Sequence, residues 1–328
     1  MRSVLFFVLS MSLLGLYAQD VTTVAVIGCH DQHRPAPVIP YLANVVQPDY
    51  TVWIGDNVYA DTEDDPGHIQ AQLDVLAAKD GFARLRAVSR FVVTWDDHDY
   101  GLNNAGGEYP LKEQSLAIHR AFWQLEDLVP ADRDGIYNAF IDTLTNGHTI
   151  QFIALDARYN RTARGRGHDM LGEAQWAWLE DQLTRPADLR FVLSGQQILL
   201  GRSTVWESWS KYPRSKRRLV RLIRDTGAEG VVFITGDQHY VEVLRSPGKL
   251  GYDAYEVMAA GINKNEVPWM AFRRVAGPDV TIHSAPLLTV HWAPTNGLDP
   301  HIEVTVTDVE SGEMTLRSGI PFSGIQRQ

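Results

Sequence analysis

The chain has 328 residues, 45% hydrophobic and 21% charged, with no low-complexity stretch; this excludes a disordered or fibrous protein and leaves room for a large core. A formal net charge of -10 argues against nucleic acid or anionic membrane as a nonspecific partner, although a local cation centre can still recruit a small phosphorylated substrate. The single cysteine, Cys29, excludes an internal disulfide.

Residues 1–18 read as a Sec-type signal peptide. Arg2 precedes an apolar stretch over residues 4–16, and Ala18 is the expected last residue before cleavage. That stretch is about 13 residues, short of the roughly 20 that a spanning helix needs. An exported soluble protein, periplasmic or extracellular, is therefore expected, with residues 19–328 as a single domain. The next run, 21–27, reads as a strand and closes on Cys29, followed by His30, Asp31, Gln32 and His33. Cys29 has two readings, a buried small hydrophobe or a metal thiolate. Its place at a strand end beside polar residues favours the thiolate.

The pattern then repeats. Run 50–54 ends in Gly55-Asp56-Asn57-Val58-Tyr59, and a short amphipathic helix is expected over 69–79. Run 91–94 ends in Trp95-Asp96-Asp97-His98-Asp99, ahead of a glycine- and asparagine-rich loop at 101–107. A helix over 111–123 follows, then a strand over 149–155 that ends in Asp156-Ala157-Arg158. Helix 172–183 carries Trp176 and Trp178 at core spacing, and strand 190–194 ends in Gly195-Gln196-Gln197. Pro213 opens a basic helix to Asp225, which reads as a solvated face, with Gly227 as its stop signal. Run 231–235 ends in Gly236-Asp237-Gln238-His239. Beyond residue 252 the pattern turns to strands, including 287–291 and a hairpin of 302–307 with 313–317 around Glu310-Ser311-Gly312.

Short runs rich in Val, Ile and Phe, bounded by Gly or Asp, are buried strands. Open α/β sheets place their chemistry just past the carboxyl ends of such strands. Carboxylates gathered there repel one another unless a cation sits between them. The residues therefore point to an α/β metal-dependent hydrolase with two packed sheets and helices outside.

Gly55-Asp56-Asn57-Val58-Tyr59 resembles the Gly-Asp-x-x-Tyr motif of purple acid phosphatases, in the calcineurin-like metallophosphatase superfamily. Trp95-Asp96-Asp97-His98-Asp99-Tyr100-Gly101 resembles the PhoD-like alkaline phosphatase and phosphodiesterase family more closely. So do Leu155-Asp156-Ala157-Arg158-Tyr159, Leu171-Gly172-Glu173-Ala174-Gln175-Trp176, Trp209-Ser210-Lys211-Tyr212-Pro213 and Gly236-Asp237-Gln238-His239. The matches run in family order from Cys29 to about Glu242, and the last 80 or so residues carry none.

The resemblance implies a four-layer metallophosphatase-type sandwich, two mostly mixed β-sheets face to face with helices on both sides. It implies that Asp56 bridges two metals, with Cys29, Tyr59 and His239 on ferric iron. The second site would draw on Asp56, Asp97, Asp237 and Gln196 or Gln197, an all-oxygen set suited to calcium, with magnesium, manganese or zinc as alternatives. In this reading a hydroxide held between the metals attacks phosphorus in a monoester or diester. His98 donates the leaving-group proton, Asp99 orients His98, and Arg158 makes a bidentate phosphate contact. Bland readings stand beside these: Asp96 and Asp99 as caps, Arg158 paired with Asp156, and an even balance for Asp31 and Asp61. The substrate would be a phosphorylated small molecule, glycan or lipid headgroup. The alternative is a secreted, non-catalytic binder of phosphorylated glycan or lipid headgroups, and a hydrolase of non-phosphate esters is a third reading. Trp206 and Trp209 either overhang the site or pack.

Overall fold

The computed structural model describes residues 21–163, 168–201, 207–264 and 274–327, so the expected signal peptide and Trp206 lie outside the described residues. The first half of the chain runs β1 (Val21–Ile27), α1 (Val38–Tyr41), β2 (Tyr50–Trp53), α2 (Pro66–Ala77), α3 (Phe82–Val88), β3 (Arg90–Val93), α4 (Asp97–Tyr100) and α5 (Lys112–Trp123). The middle adds β4 (Asn138–Thr143), β5 (Thr149–Ala154), α6 (Glu173–Thr184), β6 (Leu189–Ser194), α7 (Pro213–Asp225) and β7 (Val231–Thr235). The chain then continues through β8 (Val241–Ser246), β9 (Ala254–Ala259), β10 (Arg274–Asp279), β11 (Ser284–His291), β12 (His301–Asp308) and β13 (Met314–Pro321).

Successive side chains of a strand point to opposite faces, and here both faces are covered. Val24 and Val26 of β1 enter one core cluster while Ala25 and Ile27 enter another; Val52 and Trp53 of β2 divide the same way. Burial on both sides is why these strands read as continuous apolar runs instead of alternating ones.

Among the described residues thirteen strands form two mixed sheets, of order β13-β12-β11-β1-β2-β3 and β10-β8-β9-β7-β6-β5-β4. Strands β1, β2 and β3 are mutually parallel, as are β5, β6, β7 and β9. One core cluster joins Val24, Val52 and Val92 of the first sheet to Phe152, Phe191 and Phe233 of the second, and to Trp176 and Leu179 of α6 and Leu219 of α7. The other cluster packs α2, α3 and α5, through Leu73, Leu85 and Trp123, on the far face of the first sheet. The layers are thus helix, sheet, sheet, helix. Phe152 and Phe191 are register partners with ring centroids 5.5 Å apart, and burial of each contributes about 1.5–3 kcal/mol. A one-residue slip of either strand would turn its ring to the opposite face and break the contact, so the pair fixes the register of the two strands that deliver Arg158 and Gln196.

The motif-free C-terminal stretch completes the first sheet, because β11 pairs antiparallel with β1. Its expected hairpin is β12 and β13, turned where the Asp308 carboxylate accepts from the Glu310 and Ser311 amides and Gly312 takes φ 76. Trp209 is fully buried, meets Trp176 edge-on and donates from Nε1 to Ser194 Oγ at 3.0 Å. It packs and does not overhang the site. Among the described residues no helix is long and apolar enough to cross a membrane.

Candidate metal centre

Six of the seven parallel strands, all but β9, hand over a polar residue past the carboxyl end: Cys29 after β1, Asp56 after β2, Asp97 after β3, Arg158 after β5, Gln196 after β6 and Asp237 after β7. Backbone bonds tie the first two loops together, Cys29 N to Gly55 O at 3.2 Å and His30 N to Asp56 O at 2.8 Å. Cys29, Asp56, Asp237 and His239 take left-handed φ of 48, 50, 77 and 58°. They are four of nine non-glycine residues with positive φ among those described. Each such conformation costs on the order of 1–3 kcal/mol and persists where the surroundings over-determine it. The strain turns these four side chains inward at the strand ends. Gly195 is required by the same crowding, since a Cβ there would stand 2.7 Å from Asp96 Cγ.

Three groups of ligand atoms result, each gathered within 4.8 Å: Cys29, Asp56 and His239; Asp56, Asp97 and His98; and Asp56, Asp96, Asp97 and Asp237. Asp56 is common to all three. Cys29 Sγ lies 3.5 Å from Asp56 Oδ2, and the Tyr59 hydroxyl lies 3.1 Å from His239 Nε2. Gln196 sits on the acid side, sharing Glu207 with Arg158, whereas Gln197 turns away to Glu242 at 2.9 Å.

The protein's own charges leave this cluster unbalanced. Burial, then repulsion from Asp97 and Asp96, raises the Asp56 carboxyl well above its ordinary range, and Asp237 is raised by burial and the same neighbours. Burial first, then nearby acids, pushes up the Cys29 thiol and the Tyr59 phenol. His239 is lowered to about 4 by burial, then by Lys264 and His98, so it presents a neutral imidazole, the form that ligates. Asp96 Oδ2 and Gln196 Oε1 are buried acceptors with no hydrogen-bond partner among the described residues. A cation among these oxygens satisfies both acceptors and removes the repulsion. The donors also sort by type. Thiol, phenol and the His239 imidazole lie on one side of Asp56, and the Asp96, Asp97 and Asp237 carboxylates with the His98 ring on the other, so the residues could hold two unlike ions.

Two expectations change. Asp99 does not orient His98. Its carboxylate accepts from the backbone of Asp96 at 2.6 Å, Asp56 at 3.2 Å and Asn57 at 3.1 Å, which stitches the loop after β2 to the start of α4. Consecutive helical residues point in different directions, so Asp99 folds back over the helix start while His98 projects elsewhere. The partner of His98 is Asp61, with Nδ1 to Oδ2 at 2.7 Å. The Arg158 side chain does not pair with Asp156. It is fully buried, with Nε and Nη2 each 2.6 Å from Asp96 Oδ1 and Nη1 2.7 Å from Glu207 Oε2. Asp156, the alternative partner, accepts instead from the backbone amides of Arg158, Tyr159 and Ile136. Asp31 pairs with Arg34 and stands outside the three ligand groups.

Asp96 and Glu207 therefore join the site without having been selected from the sequence, and Asp61, left there at an even balance, joins it as the partner of His98. Glu207 precedes Trp209 in irregular chain and carries no local signal. Burial works against the His98 charge, but the Asp61 hydrogen bond and the charges of Asp56 and Asp97 prevail and raise its pKa to about 9. Removing the Asp61 charge must lower that value. For Asp61→Asn, the alkaline limb of the rate–pH profile should therefore move to lower pH. An unmoved limb would separate Asp61 from the titration of His98.

A family model described as PhoD-like phosphatase matches residues 25–266. Alkaline phosphatase D of Bacillus subtilis (strain 168) is 28% identical over 185 residues, which cover 45% of this chain and 31% of that protein. The match thus spans well under two thirds of the curated relative. In three dimensions the chain is similar to PhoD, with a TM-score of 0.64 and 16% identity over 94% of this chain and 73% of that one. It is similar to the purple acid phosphatase PPD1 of yellow lupin (Lupinus luteus) seeds, at TM-score 0.60 and 14% identity over 92% of this chain and 54% of that one. GAP50, described as the anchor in the inner membrane complex of Plasmodium, aligns at TM-score 0.56 and 14% identity over 94% and 90% of the two chains. At such identities the structural likeness is one of fold. The family match covers well over half of the sequence, so the chain belongs to the PhoD-like phosphatase family.

Proposed function

We propose that the protein is an exported, metal-dependent phosphoric ester hydrolase acting on phosphate monoesters or diesters. The reading places ferric iron at Cys29, Asp56, Tyr59 and His239. It places calcium, or else magnesium, manganese or zinc, at Asp56, Asp97, Asp237 and Gln196. The observation that carries it is the position of Asp56 in all three ligand groups, where one carboxylate can serve two ions. Such ions would supply charge neutralisation for the phosphoryl oxygens and an acidified water. The chain's residues supply the rest. Asp56 fixes the spacing of the two ligand sets, and His98, held by Asp61, carries the proton for the departing oxygen. Arg158 anchors the acid cluster and brings a guanidinium to its edge. Export rests on the pattern of residues 1–18.

The likeness to GAP50 favours one second reading, since it is a protein of the same fold described as an anchor. In that reading the chain binds phosphorylated glycan or lipid headgroups without turnover. A panel of chromogenic monoesters and diesters, assayed on metal-replete protein, separates the two. The hydrolase reading expects release of chromophore from at least one class. Phosphate binding with no turnover across the panel would establish the binder instead.

A further inference from the structure

The carboxylate of Glu207 is held as an oxyanion is held in a binding site. Its Oε2 accepts from Arg158 Nη1 at 2.7 Å and from Gln196 Nε2 at 2.9 Å, and its Oε1 accepts from Arg161 Nη1 at 2.8 Å. Two guanidiniums and one amide thus converge on two oxygens of one planar anion. The donors do not depend on Glu207 for their placement. Arg158 is fixed by Asp96 and by the Ala105 carbonyl at 3.3 Å, and Arg161 Nη2 by the Asn104 and Ala105 carbonyls at 2.5 and 2.9 Å. Gln196 is set at the end of β6, where the Glu256 carboxylate pins the following backbone by accepting from Ile198 N at 2.7 Å and Leu199 N at 2.6 Å.

Glu207 itself sits farther out. It lies outside helix and strand, its side chain is 11% exposed while that of Arg158 is not exposed at all, and it is the outermost carboxylate on Arg158. Asp96 and Asp97, the other two acids on Arg158, belong to the ligand groups, and Glu207 does not. Removal of Glu207 would leave three anchored donors converging beside the acid cluster. A tetrahedral oxyanion matches paired guanidiniums as well as a carboxylate does, and a phosphoryl dianion carries more charge.

The geometry points to a phosphoryl-oxyanion subsite made by Arg158, Arg161 and Gln196, in which the Glu207 carboxylate is a resident surrogate that a phosphorylated ligand must displace. This rests on the proposed reading of the centre as a phosphate site and adds to it Arg161 as a binding residue and Glu207 as an internal competitor. Internal competition weakens every phosphate ligand, product included, and so favours release.

The test is equilibrium binding of inorganic phosphate to metal-replete protein by calorimetry, with no turnover needed, so failure of the hydrolase reading would not obscure it. Glu207→Gln keeps the size but drops the competing charge, and phosphate should bind about tenfold tighter with metal content unchanged. Glu207→Asp keeps the charge for folding but withdraws the carboxylate by about 1.5 Å, and should give a smaller gain of roughly threefold. Arg161→Lys should weaken phosphate binding in either background. Unchanged or weaker phosphate binding in both Glu207 variants, or loss of metal from them, would overturn the proposal and make Glu207 a structural anchor or a ligand.

Discussion

Replacing Cys29 with serine should strip the proposed ferric iron from the protein, bleach the colour that thiolate and phenolate would give that iron, and bring turnover to background while the fold survives. The expectation follows from where the thiol points. Cys29 is fully buried in a small cluster with Tyr240, Met258 and Ala260, the surroundings of an inert core cysteine. Its sulfur nonetheless faces the Asp56 carboxylate at 3.5 Å, within a group that includes His239. Burial and the Asp56 charge raise the thiol, so only a strong local cation makes it a thiolate. Serine is close in size, and the hydroxyl buried in its place costs about 1–3 kcal/mol, within reach of a core this large. Elemental analysis, visible absorption and thermal melting read the three parts separately. Full colour and full turnover in Cys29→Ser would make the thiol core packing.

His98→Ala should leave both ions bound and lower turnover by roughly a hundredfold to ten-thousandfold, the range for a lost general acid. The ring is half-buried, paired through Nδ1 with Asp61 and tilted against Tyr59 with centroids 4.5 Å apart, so it is held rather than free to turn. Its raised pKa keeps it protonated at neutral pH, as a proton donor must be. The loss should shrink for esters with good leaving groups, which need less protonation. His98 also lies in one of the three ligand groups, which supplies the competing outcome. Metal lost in step with activity would make it a ligand and not the acid.

The legible part of the fold was the part with strong local chemistry. Parallel strands buried on both faces gave long apolar runs, and the abrupt change to Gly and Asp at their carboxyl ends marked both the strand boundary and the site. Helix Pro213–Asp225 was bounded by Pro at its first turn and Gly227 beyond its end, and the structure keeps those bounds. Other elements had no such marks. α4 is four residues long, too short for a helical period, and its residues read as a cluster of acids. β4 carries Asp142 and is only partly buried, so its pattern is diluted, and β8 follows directly on the His239 loop. In the site, ligands at strand ends could be picked out because their type was unusual for a strand. Partners could not: whether Asp61 or Asp99 meets His98 depends on the direction of side chains around one helical turn. Arg158 meets Glu207 from 49 residues away in the chain, a contact that no local pattern announces.

The central claim is that the acid cluster around Asp56 works only with cations between its oxygens. The most direct measurement is hydrolysis of a chromogenic phosphate ester by the purified protein before chelation, after a mild chelator, and after calcium is returned. The account predicts turnover, its loss with iron still bound, and its recovery. Turnover that persists in protein shown by elemental analysis to be free of metal would contradict it.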